Sequence, residues 1–559
     1  MKFSSVIQFL IPILSGLCGC LVSISGEAAD RIYLQYGSGR ISIPVAAVTH
    51  YLETGTINPE LAPYRRILES LTSEDSAHFR RVIQTLTQAR FNLQPEQLAN
   101  FFQTGLGERL LINLGELIQT ESGGNGAGAI QAALIQSAAQ PEGLALIDSI
   151  RQFPGDIQLN TPRILELIDG IKITNQATQT LVQTLEQLTL NQAIQEPEID
   201  FSQLLDLRQP GEFEVSQETL ILEDPQRRRT LTADLYLAKS RLEQPSIPVI
   251  IVSPGLGATR QGWQSLITHL ASHGFAVVTV QHPGSNFQKL EDFLKGQADN
   301  FFEVEEFIDR PQDISFVLDQ LEQINLTQFQ GKLNLQQVGI AGQSFGAYTA
   351  LVLAGAPLDF SHLAQACQPS SEPRVEWLNL SYFFQCQALN LSEPQNNLKD
   401  RRITAVFALD PVSSTILGQS SLSQIPIPVL WGAGSRDRLT PFVLEQANSF
   451  VALGSAEKYL ALVAGSDHLE LNLEALGTVK TLDETSLNQL VNRDTPIVES
   501  YMNALGLAFF QVYTAGNSSY RPYLRASYGQ YISQPSYSLS FSQSLTDQQI
   551  AEAFGRIKN

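Results

Sequence analysis

The sequence is poor in cysteine, methionine, tryptophan and positive charge. Its 559 residues include four cysteines, two methionines and three tryptophans, and 36 lysines and arginines stand against 56 aspartates and glutamates. The net charge of −20 should repel phosphate backbones, which excludes nucleic acid as an expected partner. The longest basic run, Arg227-Arg228-Arg229, is typical of a solvated hairpin turn. No histidine, cysteine and carboxylate cluster has the spacing of a metal site, so we expect neither a metal nor an organic cofactor.

Long apolar runs are absent beyond the first thirty residues. Lys2 precedes an apolar run at 6–17, and small residues lead to Ala28 and Ala29, which is the layout of a secretory signal peptide over residues 1–29. A second interpretation is lipoprotein processing, with Cys20 as the lipidated residue. We therefore expect an exported chain, in the periplasm or outside the cell, that is soluble or peripherally attached to a membrane.

Only Cys367 and Cys386 remain once the signal peptide is removed. In an exported protein, such a pair favours a disulfide over two buried free thiols. Both cysteines lie in a loop-rich segment, which a covalent link would stabilise.

The periodicity of the sequence divides the chain into two parts. Residues 30–200 have helical periodicity and predict an all-α accessory domain. Residues 205–559 form the second predicted domain, which begins with strand alternation at 213–222 and 230–238, typical of an antiparallel hairpin. Short apolar runs then alternate with helical stretches, at 247–252, 275–280, 338–341, 403–409, 427–431 and 459–463. Because such runs indicate parallel strands buried on both faces, we predict the eight-stranded α/β-hydrolase fold.

One of these buried runs leads into the pattern G-x-S-x-G. Gly342-Gln343-Ser344-Phe345-Gly346 follows the run at 338–341 and precedes a small-residue helix. The bare pattern arises by chance about 0.15 times in a chain of this length, but the strand-turn-helix context is specific for a nucleophile. We therefore predict that Ser344 is the nucleophile.

A serine nucleophile needs a base and an orienting acid. Among the seven histidines, His468 alone follows the last parallel strand, where this fold places its base. Asp437, in the loop after the run at 427–431, gives the chain order Ser, Asp, His and is our predicted acid. Asp410 also ends a strand and stays an alternative, since both carboxylates leave the same edge of the sheet.

The tetrahedral intermediate of acyl transfer needs backbone donors for its oxyanion. One predicted donor is the amide of Phe345, directly after the nucleophile. The other is the amide of Leu256, in the glycine-rich loop Ser253-Pro254-Gly255-Leu256-Gly257 after the first parallel strand.

With these residues in place, the second domain resembles a known family. Five segments are similar to predicted dienelactone-hydrolase-like proteins related to platelet-activating factor acetylhydrolase: 253–257, 271–286, 310–321, 342–346 and 431–441. Cutinase-like polyester hydrolases are more distant relatives. Segments 31–37 and 105–115 resemble the helical domain of unknown function that precedes such hydrolases in cyanobacteria. Dienelactone hydrolases proper use a cysteine where Ser344 stands, so their substrate is not implied. The acetylhydrolases favour Asp410 as the acid, and the cutinase-like enzymes favour Asp437.

These features predict a serine esterase that cleaves carboxylic esters through an acyl-enzyme, with a small-molecule or lipid ester as substrate. Residues 355–402 are the predicted cap, whose apolar side chains either bind a hydrophobic acyl group or pack the cap onto the sheet; they are Leu378, Leu380, Tyr382, Phe383 and Phe384. A peptidase or amidase with the same triad is one alternative. A non-catalytic, envelope-associated binding protein is the other.

Overall fold

The computed structural model describes residues 28–36, 39–64, 90–91, 93–238, 240, 246–368, 375–393, 395, 397–468 and 495–555. Residues 1–27 of the predicted signal peptide, with Cys20, lie outside the described residues. None of the helices in the described part of the chain is both long enough and apolar enough to cross a membrane.

Nine strands form the larger sheet, in the order β13-β12-β11-β10-β9-β7-β8-β6-β5. They are β5 (Val215–Asp224), β6 (Arg229–Ala238), β7 (Ile247–Ser253), β8 (Ala276–Gln281), β9 (Leu333–Gln343), β10 (Ile403–Leu409), β11 (Val429–Gly434), β12 (Lys458–Val463) and β13 (Leu539–Ser542). The hairpin β5-β6 is antiparallel and β7 to β12 pair in parallel, as the sequence predicts.

Strand β13 was not predicted, and it adds an antiparallel edge next to β12. It is only four residues long, and its alternation of apolar residues with serine is too short to distinguish a strand from a loop in the sequence.

The parallel strands are buried on both faces. In β7, Val249 and Ile251 belong to one hydrophobic core, whereas Ile250 and Val252 belong to the core on the opposite face. Helices cover both faces, which is the arrangement that buries an all-apolar strand. The described part of the chain is therefore an α/β-hydrolase in fold.

The helices, numbered in chain order, frame both sheets. They are α1 (Val45–Thr54), α2 (Pro95–Gln103), α3 (Gly105–Leu117), α4 (Ala127–Ala138), α5 (Leu146–Arg151), α6 (Thr161–Gln195), α7 (Gln264–Ser272), α8 (Phe287–Leu294), α9 (Glu306–Gln328), α10 (Phe345–Ala354), α11 (Phe360–Ala366), α12 (Leu380–Gln385), α13 (Gly418–Leu422), α14 (Ala447–Ala452), α15 (Thr495–Tyr513), α16 (Ala526–Ile532) and α17 (Asp547–Ala553). Helices α9 and α10 contact each other on one face of the larger sheet, and α7 contacts α15 on the other.

A second sheet of four strands lies in the N-terminal region, in the order β2-β1-β4-β3. Its members are β1 (Arg31–Tyr36), β2 (Gly39–Pro44), β3 (Ile118–Thr120) and β4 (Ile157–Leu159). The prediction of an all-α region is therefore wrong here. Two of these strands have three residues each, which is too short for alternation to be recognised in the sequence, and β4 pairs with β1 across more than a hundred positions.

Helix α6 connects this region to the far edge of the larger sheet. Thr189 accepts a hydrogen bond from the Phe541 amide of β13 at 3.0 Å, and Gln192 donates to Ser544 at 2.8 Å. Leu181 and Leu185 on the same helix are fully buried. The helix that precedes the predicted boundary near residue 200 thus packs against the C-terminal part of the chain.

Candidate active site

Ser344 lies in a sharp turn between β9 and α10. Its backbone has φ 54° and ψ −116°, a conformation that is uncommon for a residue with a side chain and is often found at functional sites. The flanking glycines allow the close approach that this turn needs. A Cβ at Gly342 would lie 2.3 Å from the Gly346 carbonyl oxygen, and one at Gly346 would lie 1.9 Å from the Ser253 carbonyl oxygen. Neither position therefore accepts a larger residue.

His468 and Asp437 meet at the same edge of the sheet, after β12 and β11. The His468 Nδ1 atom lies 2.6 Å from Asp437 Oδ2, and both residues are buried. The backbone amides of Leu439 and Thr440 donate to Asp437 Oδ1 at 2.8 and 2.9 Å, and the Thr440 hydroxyl donates to Asp437 Oδ2 at 2.5 Å. These donors hold the carboxylate towards the imidazole. Sequence reasoning had missed Thr440.

Asp410, the alternative acid, is also close to this pair. Ligand atoms of Asp410, Asp437 and His468 lie within 4.8 Å of one another. Asp410 has φ 44°, and its Oδ1 accepts a hydrogen bond from the Gly434 amide at 3.0 Å. Three such atoms could also hold a cation, but His468 Nδ1 and Asp437 Oδ2 bond to each other, which suits an acid-base pair. Asp410 thus anchors the start of the loop that carries Asp437.

The charges around His468 change its proton affinity. Burial lowers the pKa of His468, but the charge and hydrogen bond of Asp437, helped by Asp410 and Asp467, outweigh burial and raise that pKa above its ordinary value. Burial raises the pKa of Asp437, but His468 and the Thr440 hydrogen bonds outweigh it and hold that pKa below its usual range. Asp437 therefore stays ionised and favours the protonated imidazole.

One predicted oxyanion donor, Phe345, follows Ser344 in the chain, and the other, Leu256, belongs to a loop that lies beside Ser344. A Cβ built at Gly255 would be 3.7 Å from the Ser344 Cβ, which places the loop after β7 beside Ser344. Within the described part of the chain, the amides of Leu256 and Phe345 donate to no protein acceptor. Two unpaired donors beside a serine can bind an oxygen that carries negative charge.

The predicted cap is closed by the disulfide between Cys367 and Cys386, whose Cα atoms are 5.7 Å apart. The Phe384 ring packs against the rings of Phe302, Phe307 and Phe345 at centroid distances of 4.9 to 5.1 Å. Of the two roles considered for the apolar cap residues, these contacts give Phe384 the packing role, directly beside helix α10.

Glu445 is a buried carboxylate that sequence reasoning missed. It lies in a π-helical turn (Phe442–Gln446) and accepts hydrogen bonds from the cap and from the loop after Asp410. Its donors are the Asn379 side chain at 2.6 Å, the Ser381 hydroxyl at 2.9 Å, and the Ser413 and Ser414 amides at 2.6 and 2.7 Å. The available signal was a single charged residue within the otherwise uncharged stretch 439–454.

A second buried network surrounds helix α9, and it corrects the expectation of a solvated arginine turn. Arg227 and Arg229 are only 20% and 10% exposed, and both donate to Asp313, at 2.7 and 2.8 Å. His282, which follows β8, lies 3.0 Å from Asp313 through Nδ1 and 3.0 Å from the Ser253 hydroxyl through Nε2. The arginine side chains turn inward because helix α9 offers them buried carboxylates, which the local sequence of the hairpin does not reveal.

The fold, the sharp turn that carries Ser344 and the pair formed by His468 and Asp437 together define the class of an α/β-hydrolase. Residues 28–160 match the family described as an α/β-hydrolase of unknown function (DUF1400), and residues 232–309 match platelet-activating factor acetylhydrolase, isoform II. Both matches agree with the resemblance identified in the sequence. The second covers β6, the Leu256 loop and the start of α9. A search of curated proteins found no match.

Proposed function

We propose that this protein is a serine esterase that hydrolyses carboxylic esters through an acyl-enzyme. The observation that carries the proposal is the 2.6 Å contact between His468 Nδ1 and Asp437 Oδ2, at the sheet edge where the strained turn presents Ser344. The proposed nucleophile, acid and base, Ser344, Asp437 and His468, follow one another in the chain order that this fold uses.

In the first step, His468 Nε2 takes the proton of Ser344 Oγ as that oxygen attacks the ester carbonyl carbon. Asp437 keeps Nδ1 protonated and stabilises the imidazolium. The amides of Leu256 and Phe345 bind the oxyanion, and losing one such donor typically costs about 10²–10³ in rate. His468 then protonates the departing alcohol. Water, activated by the same histidine, attacks the acyl-enzyme and releases the acid.

The similarity of residues 232–309 to platelet-activating factor acetylhydrolase makes acetyl and other short acyl esters of lipids the first substrates to test. The aromatic rings that pack between the cap and helix α10 make the surroundings of the site apolar on this side. A series of p-nitrophenyl esters from acetate to palmitate, with a phospholipid bearing a short acyl chain, would measure the preferred length.

The decisive variant is Ser344→Ala. We expect it to lose ester hydrolysis and labelling by a fluorophosphonate probe, because both need the activated hydroxyl. Ser420→Ala, at an exposed serine, is the matched control and should keep both. Unchanged turnover in Ser344→Ala would show that the proposal is wrong.

Amide hydrolysis is the competing reaction for the same triad. Comparing p-nitroanilides with p-nitrophenyl esters of the same acyl group separates the two, since amides have the poorer leaving group. Faster turnover of the anilide would identify a peptidase or amidase instead.

A further inference from the structure

Arg310 is a fully buried arginine that reaches the loop beside the nucleophile. It lies in the second turn of α9, and its Nη2 donates to the carbonyl oxygens of Pro254 and Gly255, at 2.9 and 3.2 Å. Both carbonyls belong to the loop that carries Leu256. The proposed catalytic steps do not use this side chain.

The contact with Gly255 determines which way the Leu256 amide points. The Gly255 carbonyl and the Leu256 N–H belong to one peptide unit, and in a trans peptide these groups point in opposite directions. A guanidinium that draws the oxygen to one side therefore turns the N–H to the other side, in a loop where the Cβ position of Gly255 lies 3.7 Å from the Ser344 Cβ. A positive charge at the oxygen also polarises the peptide and strengthens its N–H as a donor.

Arg310 also contacts the residue that supplies the second oxyanion donor. Its Cζ lies 4.4 Å from the centroid of the Phe345 ring, a distance typical of a cation-π contact. Among the described residues, Nη1 has no hydrogen-bond acceptor. The Arg310 guanidinium thus contacts the backbone just before Leu256 and the side chain of Phe345, the two residues whose amides are the predicted oxyanion donors.

The guanidinium itself is held firmly and remains charged. Its Nε donates to the Ser285 hydroxyl at 2.9 Å, Ser285 donates in turn to buried Glu306, and the Ser285 carbonyl accepts from the Gly257 amide at 2.8 Å. Burial lowers the pKa of Arg310 to about 10, which leaves it protonated near neutral pH.

We propose that Arg310 is a positioning residue of the oxyanion hole, which orients the Gly255–Leu256 peptide and restrains Phe345 so that both amides face the oxyanion. The proposal rests on the esterase function above. It predicts that Arg310 acts in the transition state, where the oxygen carries charge, and has little effect on binding of the uncharged ester.

The test compares Arg310→Lys with Ser285→Ala, using kcat and KM for p-nitrophenyl butyrate. Lysine keeps the charge but cannot make the forked contact, so we expect kcat to fall about 10- to 100-fold while KM changes less than about threefold. Ser285→Ala loosens the guanidinium without removing it, and we expect a fall in kcat of about threefold to tenfold. A trifluoromethyl ketone, which forms a charged adduct with the serine, should bind each variant more weakly by a similar factor.

Arg402→Lys is the matched control. Arg402 contacts helix α9, the helix that carries Arg310, since it donates to the Ser315 carbonyl at 3.2 Å. It directly precedes β10, however, and so lies at the N-terminal end of that strand, away from Ser344. This variant should keep the wild-type kcat.

Folded Arg310→Lys and Ser285→Ala proteins with wild-type kcat, or a loss confined to KM, would overturn the inference while leaving the esterase function intact. Failure of both variants to fold would assign Arg310 to stability and equally overturn it. An inactive wild-type protein would remove the esterase function first, and this inference with it.

Discussion

Individual contacts distinguish the two aspartates near His468. Asp437 and Asp410 both follow parallel strands, and both influence His468 electrostatically. Asp437 Oδ2 lies 2.6 Å from His468 Nδ1, whereas Asp410 Oδ1 accepts a hydrogen bond from the Gly434 amide. We therefore expect the two carboxylates to contribute very differently to catalysis.

Replacing each acid by its amide should separate their roles. Asp437→Asn should lower kcat by about 10³–10⁴-fold, because the imidazole loses the partner that holds its tautomer and stabilises its charge. Asp410→Asn should keep kcat within about tenfold of wild type. Steady-state hydrolysis of p-nitrophenyl butyrate measures both. An inactive Asp410 variant beside an active Asp437 variant would reverse the assignment.

The raised pKa of His468 predicts the pH dependence of the reaction. Only the neutral imidazole accepts the serine proton, so kcat/KM should fall as the pH drops through the pKa of His468, which lies above the ordinary histidine value. Asp410→Asn removes a negative charge that favours the protonated ring, and the inflection should move to lower pH. Asp299→Asn, at an exposed aspartate, should leave it unchanged. A shift to higher pH in Asp410→Asn would contradict this account.

At the scale of elements, one carboxylate joins the predicted cap to the loops after β10 and β11. Glu445 receives donors from α12, from the loop after β10 and from the segment just before α12. The Ser381 amide also donates to the Leu439 carbonyl, in the loop after β11 that carries Asp437. The predicted cap is therefore fixed to the loops that follow Asp410 and carry Asp437.

Glu445→Gln should destabilise the protein. The NH2 group of glutamine would face the N–H and O–H groups that now donate to the Glu445 carboxylate, and some of these would lose their acceptor. We expect the free energy of unfolding to fall by about 2–4 kcal/mol. Chemical denaturation followed by fluorescence measures this difference. Glu142→Gln, at an exposed glutamate, serves as control and should unfold like the wild type. Equal stability of the two variants would contradict the anchoring role.

At the scale of the whole molecule, the N-terminal region and the α/β-hydrolase sheet share buried surface. Helix α6 lies along β13 and α16, and Glu196 accepts hydrogen bonds from the Ala526 and Ser527 amides at 3.0 and 2.9 Å. Arg109 of α3 reaches the Cys367 carbonyl at 3.5 Å. The N-terminal region thus covers the β13 edge of the larger sheet and contacts part of the predicted cap.

Removing residues 1–204 should therefore weaken the remaining protein. Each buried leucine of α6 contributes about 1.5–3 kcal/mol. The shortened chain would also expose the surfaces of β13 and α16 that α6 contacts. We expect its thermal midpoint to drop by about 5 °C or more and its soluble yield to fall. A chain that begins at residue 28 is the matched control. An equal midpoint for the chain that begins at residue 205 would show that the two regions fold independently.

The sequence by itself was sufficient for the features that depend on near neighbours. Apolar runs identified β7 to β12, and the glycine spacing around Ser344 predicted the turn that the structure contains. These features could be predicted because strand burial and a tight turn leave their pattern within ten residues. The loop positions of Leu256 and His468 followed from the strand order.

Only the tertiary structure decided which carboxylate meets His468, where Arg227 and Arg229 point, and how α6 and β13 combine. Each of these depends on groups brought together from distant positions, and loop paths between parallel strands are not encoded in local periodicity. Asp410 and Asp437 leave neighbouring strands at the same edge of the sheet. The hydrogen bonds that the Leu439 and Thr440 amides donate hold the Asp437 carboxylate, and not that of Asp410, towards the His468 imidazole.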